Sequence, residues 1–147
     1  LAAFVQLGCL GRLKIAQLFC SGRRAVTAVH YDQNQNLFFQ LAGRKRFVLF
    51  PPLTGARALA PYEVAHPRDR CARVRLGQPD YERFPCAARA RGEGLQAVLG
   101  PGDALFLPYG WWHHVESLAD ENVSLNFWYR SGALERRPPD PGVPRPL

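Results

Sequence analysis

Short stretches in which apolar and polar residues alternate run through most of the chain. Such alternation predicts β-strands, because successive side chains on a strand point to opposite faces. We expect strands at residues 13–19, 25–31, 37–41, 46–50, 96–99, 104–107, 113–118 and 123–129. Many short strands separated by turn residues predict an all-β antiparallel barrel or jelly roll.

The segments between these strands carry turn signals. Ala42-Gly43-Arg44-Lys45 predicts a hairpin that joins the third and fourth strands. The prolines Pro51-Pro52 end the fourth strand, since proline cannot donate to a ladder. Residues 53–93 form a polar, arginine-rich loop, and a loop of this length in a compact domain is usually a lid or a binding insert. In the turn 100–103, Gly102 stands where a positive φ is needed.

Length and composition indicate one domain. The chain has 147 residues, 47% of them hydrophobic, which suffices for one core. We expect a folded domain at residues 1–130 and a proline-rich, disordered tail at 131–147. No apolar run reaches the ~18 residues that span a bilayer, and the apolar start is assigned to the core rather than to a signal peptide. The chain contains no methionine, so we expect it to be a fragment.

The net charge of +7 arises mainly from arginines in loops and the tail. Residues 68–91 hold seven arginines, but carboxylates are mixed with them and no aromatic interleaving of the single-strand-binding kind is evident. A solvated basic surface is therefore expected rather than nucleic-acid binding. The four cysteines, Cys9, Cys20, Cys71 and Cys86, lack the spacing of a metal site, which predicts free thiols in a reducing compartment.

Two histidine-bearing segments are the clearest chemical signal. In His30-Tyr31-Asp32, an imidazole and a carboxylate two residues apart on a strand point to the same side. A second imidazole from Trp111-Trp112-His113-His114 would complete two histidines and one carboxylate, the facial triad of non-haem Fe(II) oxygenases. Periodicity leaves the choice between His113 and His114 open, because neighbours on a strand face opposite ways.

Other polar residues on the strands suggest a second ligand. Lys45 precedes the apolar run 46–50, where it is either a solvated strand end or a cation for a dicarboxylate that chelates the metal. Asn36 and Asn126 are poor β-formers, and a buried amide must be hydrogen-bonded. Each is therefore either a satisfied core amide or a ligand contact. Trp128 is expected to pack in the barrel, beside such a dicarboxylate.

Seven motifs follow one another between residues 13 and 130: HYDQNQNLFFQ, FPP, HPRDR, PDYERFP, GPGD, WWHHVESL and NFWY. Together they resemble the JmjC branch of the 2-oxoglutarate oxygenases, and within it the asparaginyl hydroxylases of the factor-inhibiting-hypoxia-inducible-factor type. The resemblance implies a double-stranded β-helix (a jelly roll of the cupin/JmjC kind) with a long inserted loop. It also implies these roles: Fe(II) ligation by His30, Asp32 and His113, binding of the far carboxylate of 2-oxoglutarate by Lys45 and Thr27, and contacts near the metal from Asn36, Asn126 and Trp128.

The implied activity is an Fe(II)- and 2-oxoglutarate-dependent dioxygenase that uses O₂ to hydroxylate asparaginyl or similar protein side chains, releasing succinate and CO₂. The implied partners are ankyrin-repeat or hypoxia-inducible-factor-like transcription-factor peptides, in the cytoplasm and nucleus, with no membrane. The alternatives are a histone-lysine demethylase or RNA hydroxylase of the same branch, or a non-catalytic JmjC-like binding module.

Three features of the chain depart from the family pattern. Arg70 matches an arginine that grips the substrate amide, but Cys71 stands where a glutamine is expected, and a thiol is a weak hydrogen-bond partner. A tyrosine that helps to bind 2-oxoglutarate has no counterpart here. The family's C-terminal helices are also missing, so a dimer is not expected.

Overall fold

The computed structural model describes residues 10–130. Its strands are β1 (Arg12–Gly22), β2 (Val26–Tyr31), β3 (Gln35–Ala42), β4 (Lys45–Phe50), β5 (Leu95–Leu99), β6 (Ala104–Leu107), β7 (Trp112–Ser117) and β8 (Glu121–Arg130). A helix α1 (Pro52–Ala58) and a 3-10 helix (Pro85–Ala90) lie between β4 and β5. Within the described residues, the helices are too short and too polar to cross a membrane. The tail predicted at 131–147 lies outside this range.

The strands form two antiparallel sheets of four strands each. The first sheet has the order β1-β8-β3-β6 and the second has the order β2-β7-β4-β5. Most connections cross from one sheet to the other, as in a jelly roll. The predicted all-β fold of the double-stranded β-helix kind is confirmed, and no predicted strand end is displaced by more than three residues.

The predicted hairpin between the third and fourth strands is wrong. β3 pairs with β8 and β6, whereas β4 pairs with β7 and β5, so their connection crosses between the sheets. At this crossing Gly43 has a φ of 74°, and a Cβ there would lie 2.1 Å from the carbonyl oxygen of Glu121. Only glycine fits such a close approach with a positive φ. Alternation within a strand predicts the strand but not its partner.

Two groups of buried apolar side chains lie on the two faces of the second sheet. The inner group fills the space between the sheets and consists of Phe38, Phe47, Leu49, Leu99 and Leu107. The outer group consists of Val29, Phe50, Ala58, Leu59, Ala90 and Trp112. Burying each large side chain stabilises the fold by roughly 1.5–3 kcal/mol. Both faces of the second sheet are therefore covered, and the metal-ligand candidates lie on its inner face.

The outer face is covered by residues 51–94, which we call the insert. The predicted loop is more ordered than the sequence pattern suggested. Pro52 begins α1 at a position where a missing N–H costs nothing, and Gly55 packs so closely on Trp112 that a Cβ would lie 1.9 Å from its ring. A seven-residue helix carries too little periodicity to be recognised from sequence, and it depends on this packing.

The PGD turn before β6 has the predicted geometry. Gly102 has a φ of 92°, and the amide of Asp103 donates to the carbonyl oxygen of Gly100 at 3.1 Å. The Asp103 carboxylate also accepts from the Gly100 amide at 2.8 Å. This turn therefore closes on itself and starts β6, the edge strand that pairs with β3.

Candidate metal and co-substrate site

The pairing of β2 with β7 brings two histidines together. His30 and His113 are directly opposite each other, with ring centroids 4.2 Å apart. Asp32 follows the end of β2, and its carboxylate oxygens lie 3.9 Å from Nε2 of His30 and 3.8 Å from Nε2 of His113. The three ligand atoms all lie within 4.8 Å of one another. This donor set fits one metal ion bound on a single face by two imidazoles and a carboxylate.

Backbone and side-chain contacts orient each of the three groups. Nδ1 of His30 lies 2.9 Å from the carbonyl oxygen of Ala28, and Nδ1 of His113 lies 3.0 Å from that of Trp111. Each Nδ1 therefore carries the proton and donates, which leaves the Nε2 lone pair for a metal. Trp128 Nε1 donates to Oδ2 of Asp32 at 3.1 Å, which fixes the carboxylate.

Burial favours the metal-binding form of His113. The residue is 4% exposed, and burial, strengthened by the neighbouring His30, lowers its pKa to about 4. A neutral imidazole is the form that ligates a metal. His114 faces the other side of β7. The choice that periodicity left open is thus decided by the side of the sheet to which each histidine points: His113 points to the same side as His30 and Asp32, and His114 does not.

Lys45, the first residue of β4, is a buried cation. It is 7% exposed, its Nζ donates to Oγ of Ser124 at 2.8 Å, and it lies 5.6 Å from the centre of the Phe38 ring. Within residues 10–130, no carboxylate forms a salt bridge with it. Burial lowers the pKa of Lys45, because the charged ammonium is desolvated. A carboxylate that enters this space would relieve that cost.

Two buried amides lie on β3 and β8, in the first sheet. Asn36 and Asn126 are 3% and 6% exposed, and their Oδ1 atoms have no hydrogen-bond partner among the described residues. Leaving a buried polar atom unpaired costs roughly 1–3 kcal/mol. β3 pairs with β8 so that Asn36 is opposite Trp128, the residue that contacts Asp32. These amides have unused hydrogen-bonding capacity on the inner face.

Thr27, the other residue predicted to bind the far carboxylate, lies on the flank of this space. It is exposed and opposite Val115 on β7, while Lys45 is opposite Ser117 on the other side of the same strand. Thr27 and Lys45 therefore approach β7 from its two sides, offset by two residues. The role of Thr27 stays a prediction.

Arg70 and Cys71 run alongside β2. The carbonyl oxygen of Arg70 accepts from the Tyr31 amide at 3.0 Å, and the backbone of Cys71 forms an antiparallel β-bridge with His30. The Arg70 side chain is exposed and lies 3.9 Å from Asp69. The pair is therefore next to a metal-ligand candidate, and its contact with a substrate amide stays a prediction. Cys20, Cys71 and Cys86 are free thiols, whereas Cys9 lies outside the described residues.

The sequence interpretation missed Ser124 and Gln40. Both are fully buried and opposite each other on β8 and β3, and Oε1 of Gln40 has no partner among the described residues. One signal could have found Ser124. Every second residue of β8 from Asn122 to Asn126 is polar, and that row faces the core rather than solvent.

The chain belongs to the cupin-like domain family, whose model matches residues 4–134. It is 32% identical over 127 residues to "Lysine-specific demethylase JMJ31" of Arabidopsis thaliana, which covers 86% of this chain and 23% of that protein. It is 43% identical over 107 residues to "HSPB1-associated protein 1 homolog" of Danio rerio, which covers 71% of this chain and 23% of that protein. These relatives agree with the JmjC branch, while closeness to the asparaginyl hydroxylases stays a prediction.

The fold also matches a solved structure. The X-ray structure of E. coli ycfD superposes with a TM-score of 0.57 at 19% identity, over 99% of this chain and 37% of that one. At this identity the likeness concerns the fold alone. The chain spans about a quarter of the length of the curated relatives it matches.

Proposed function

We propose that this domain is the catalytic centre of an Fe(II)- and 2-oxoglutarate-dependent dioxygenase that oxidises protein side chains. The observation that supports it best is one row of inward side chains on β8. Trp128 at one end contacts Asp32 of the triad, Ser124 at the other end contacts Lys45, and Asn126 lies between them. Four residues along a strand span about 13 Å. That length suits a metal with a chelating dicarboxylate beside it.

The residues fit both groups. When bound, Fe(II) and 2-oxoglutarate supply an oxidation in which one atom of O₂ enters a substrate C–H bond and the other enters succinate, with loss of CO₂. His30, Asp32 and His113 would hold the metal, and Lys45 with Ser124 would bind the far carboxylate. Trp128 keeps Asp32 oriented through its N–H donation. The aromatic pair Phe38 and Phe47, with ring centroids 4.8 Å apart, would exclude water from the end of the site near Lys45.

The motifs and the relatives each favour one class of substrate. The motif resemblance favours stable hydroxylation of asparaginyl or similar side chains in a protein partner. The name of the Arabidopsis relative, a lysine-specific demethylase, favours the second candidate, oxidation of an N-methyl group on lysine. The two differ in product: a hydroxylated side chain retains the added oxygen, whereas a hydroxymethylated amine releases formaldehyde.

The test is turnover by the chain reconstituted with Fe(II) in the absence of air and then assayed with 2-oxoglutarate, O₂ and peptide pools. Succinate, formaldehyde and a +16 Da peptide product are measured together. Asp32→Ala should abolish succinate formation, because it removes the only carboxylate of the triad. Asp120→Ala is the matched control, since Asp120 is an exposed surface partner of Arg23.

Binding is measured separately from turnover. A ligand that binds only the native state raises the unfolding midpoint. We expect Mn(II) with 2-oxoglutarate to raise the midpoint of the wild-type chain and of Asp120→Ala, but not of Asp32→Ala. Equal midpoints with and without metal in the folded wild type would contradict the proposal and favour a non-catalytic binding module.

A further inference from the structure

A wide groove lies between the insert and the outer face of the second sheet, away from the inter-sheet site. Its volume is about 1830 Å³. One wall is the outward row of β4 and β7, where Arg46 is paired with Glu116 and Val48 with His114. The other wall is built by residues 59–94 of the insert. The groove is therefore on the opposite face of β7 from His113.

Positive charge dominates the lining. Three carboxylates, those of Glu63, Asp80 and Glu116, line the groove, and Glu116 is already paired with Arg46. The arginines that line it are twice as many: Arg46, Arg68, Arg73, Arg75, Arg83 and Arg91. An excess of guanidinium groups around a concave surface attracts an anionic partner.

Three of these arginines are held in place by aromatic rings. Arg73 and Arg83 lie over Phe84, with their guanidinium carbons 5.5 Å and 5.2 Å from the ring centre. Arg91 lies 5.1 Å from the centre of the Tyr81 ring, and its Nε donates to the Tyr81 hydroxyl at 3.1 Å. In the part of the chain that the structure describes, none of the three forms a salt bridge. The guanidinium groups are thus oriented, but their charge is not neutralised.

The floor of the groove is apolar and has one unsatisfied donor. Val29, Phe50 and Leu59 are buried there, at the edge of the outer core. Nε of Arg46 is buried without a hydrogen-bond partner among the described residues, although the same side chain pairs with Glu116. Apolar side chains of a ligand would be accommodated on this floor.

We propose that this groove binds an acidic peptide segment of a partner protein, with carboxylates on the arginines and apolar side chains on the floor. A guanidinium binds a carboxylate through two parallel hydrogen bonds, which rewards arginines that are already oriented. Cys71 lines the groove, and its backbone forms a β-bridge with His30 on β2. A segment bound here would therefore pass beside the strand that carries a metal-ligand candidate.

The same contacts disfavour a single-stranded nucleic acid. Such ligands bind by stacking bases on open aromatic faces. Here Phe84 and Tyr81 are covered by arginines, and the Tyr62 ring is stacked with His66, their centroids 4.4 Å apart.

The test uses the whole chain without added metal, so that it is independent of the proposed oxygenase activity. A fluorescein-labelled peptide of Glu-Glu-Leu repeats is titrated and followed by fluorescence anisotropy at low and high salt. We expect saturable binding that weakens with salt and is absent for a Lys-Lys-Leu peptide of equal length.

The variant Arg83→Gln/Arg91→Gln should weaken binding of the acidic peptide by about tenfold or more, because two charge-assisted contacts are lost. The matched control Arg57→Gln/Arg89→Gln removes the same charge from exposed arginines that do not line the groove. Equal losses of affinity in both variants would show that binding depends only on net charge, and this would overturn the proposal. Tighter binding of an oligouridylate that displaces the peptide would also overturn it, in favour of a nucleic-acid groove.

Discussion

Two adjacent histidines on β7 occupy different environments. His113 points between the sheets, is 4% exposed and meets Asp32 and His30. His114 points to the outer face, is partly buried and lines the arginine-rich groove. The residue type and the backbone are the same, and the strand pleat alone separates the two side chains. The face of the sheet, rather than the residue, decides which imidazole can ligate a metal.

The two faces also differ in how their charges are balanced. On the inner face Lys45 is buried with a hydroxyl partner and no carboxylate partner among the described residues. On the outer face Arg46, its neighbour, is partly exposed and pairs with Glu116. A buried unpaired cation is costly, whereas an exposed ion pair contributes little. Lys45 therefore lowers the stability of the fold, but it is placed where it can bind an anion.

The largest expected effect separates the two histidines directly. His113→Ala should weaken Fe(II) or Mn(II) binding by more than about 100-fold, since loss of contacts one step removed from a metal already costs roughly 10–100-fold. His114→Ala should change the metal affinity less than about threefold. Isothermal titration of both variants with Mn(II) measures the difference. Equal losses would show that the two faces are not distinct in metal binding.

The pH dependence of stability should also differ between the histidines on the two faces of the second sheet. The pKa of His113 is lowered from 6.5 to about 4 in the folded state, so the unfolded chain binds more protons between these values. The free energy of unfolding of the metal-free protein should therefore fall as the pH falls from 6.5 towards 4. The loss attributable to His113 is at most about 3 kcal/mol, from the size of the shift.

His113→Gln should flatten that pH dependence, which is measured by denaturant unfolding at each pH. Burial also lowers the pKa of His114, so His114→Gln should remove a part of the slope with the same sign. If His114→Gln flattened the pH dependence more than His113→Gln, the histidine on the outer face would be the one whose pKa is lowered more.

Lys45→Met tests the cost of the inner cation. Affinity for 2-oxoglutarate in the presence of Mn(II) should fall roughly 10–100-fold, equivalent to about 1.5–3 kcal/mol for a lost charged hydrogen bond. The free energy of unfolding should stay the same or rise, because a desolvated ammonium is replaced by an apolar chain. Lys14→Met, on the exposed edge strand β1, is the control. A marked loss of stability in Lys45→Met would show that Lys45 is a structural cation.

Gly55→Ala tests whether the outer face supports the inner one. Its Cβ would lie 1.9 Å from the Trp112 ring, so the free energy of unfolding should fall by roughly 1–3 kcal/mol. Gly77→Ala is the control, because nothing lies within 4 Å of a Cβ there. If the faces are independent, the Mn(II) affinity of folded Gly55→Ala stays within a few-fold of the wild type. A larger drop would mean that Trp112 transmits the strain to His113.

Much of the site could be predicted from local sequence. His30 and Asp32 share a face because they lie two residues apart next to a strand, and the Gly102 turn follows from its glycine and proline. Asn36 and Asn126 were recognised because an amide is a poor strand former. Ser124 was missed because serine on a strand is unremarkable until its face is known. The contacts of Tyr81 and Phe84 with arginines were not predicted, because the sequence around these rings does not show which arginines lie over them.

The sequence by itself determined the strands, the Gly102 turn and two of the three metal-ligand candidates, since each depends on residues a few positions apart. Only the tertiary structure decided that β3 and β4 belong to different sheets, that α1 forms on Trp112, and that β7 presents His113 rather than His114 to His30. These features depend on pairings between residues far apart in the chain. Periodicity shows that a strand has two faces, but the pairing of strands determines which face carries the metal-ligand candidates.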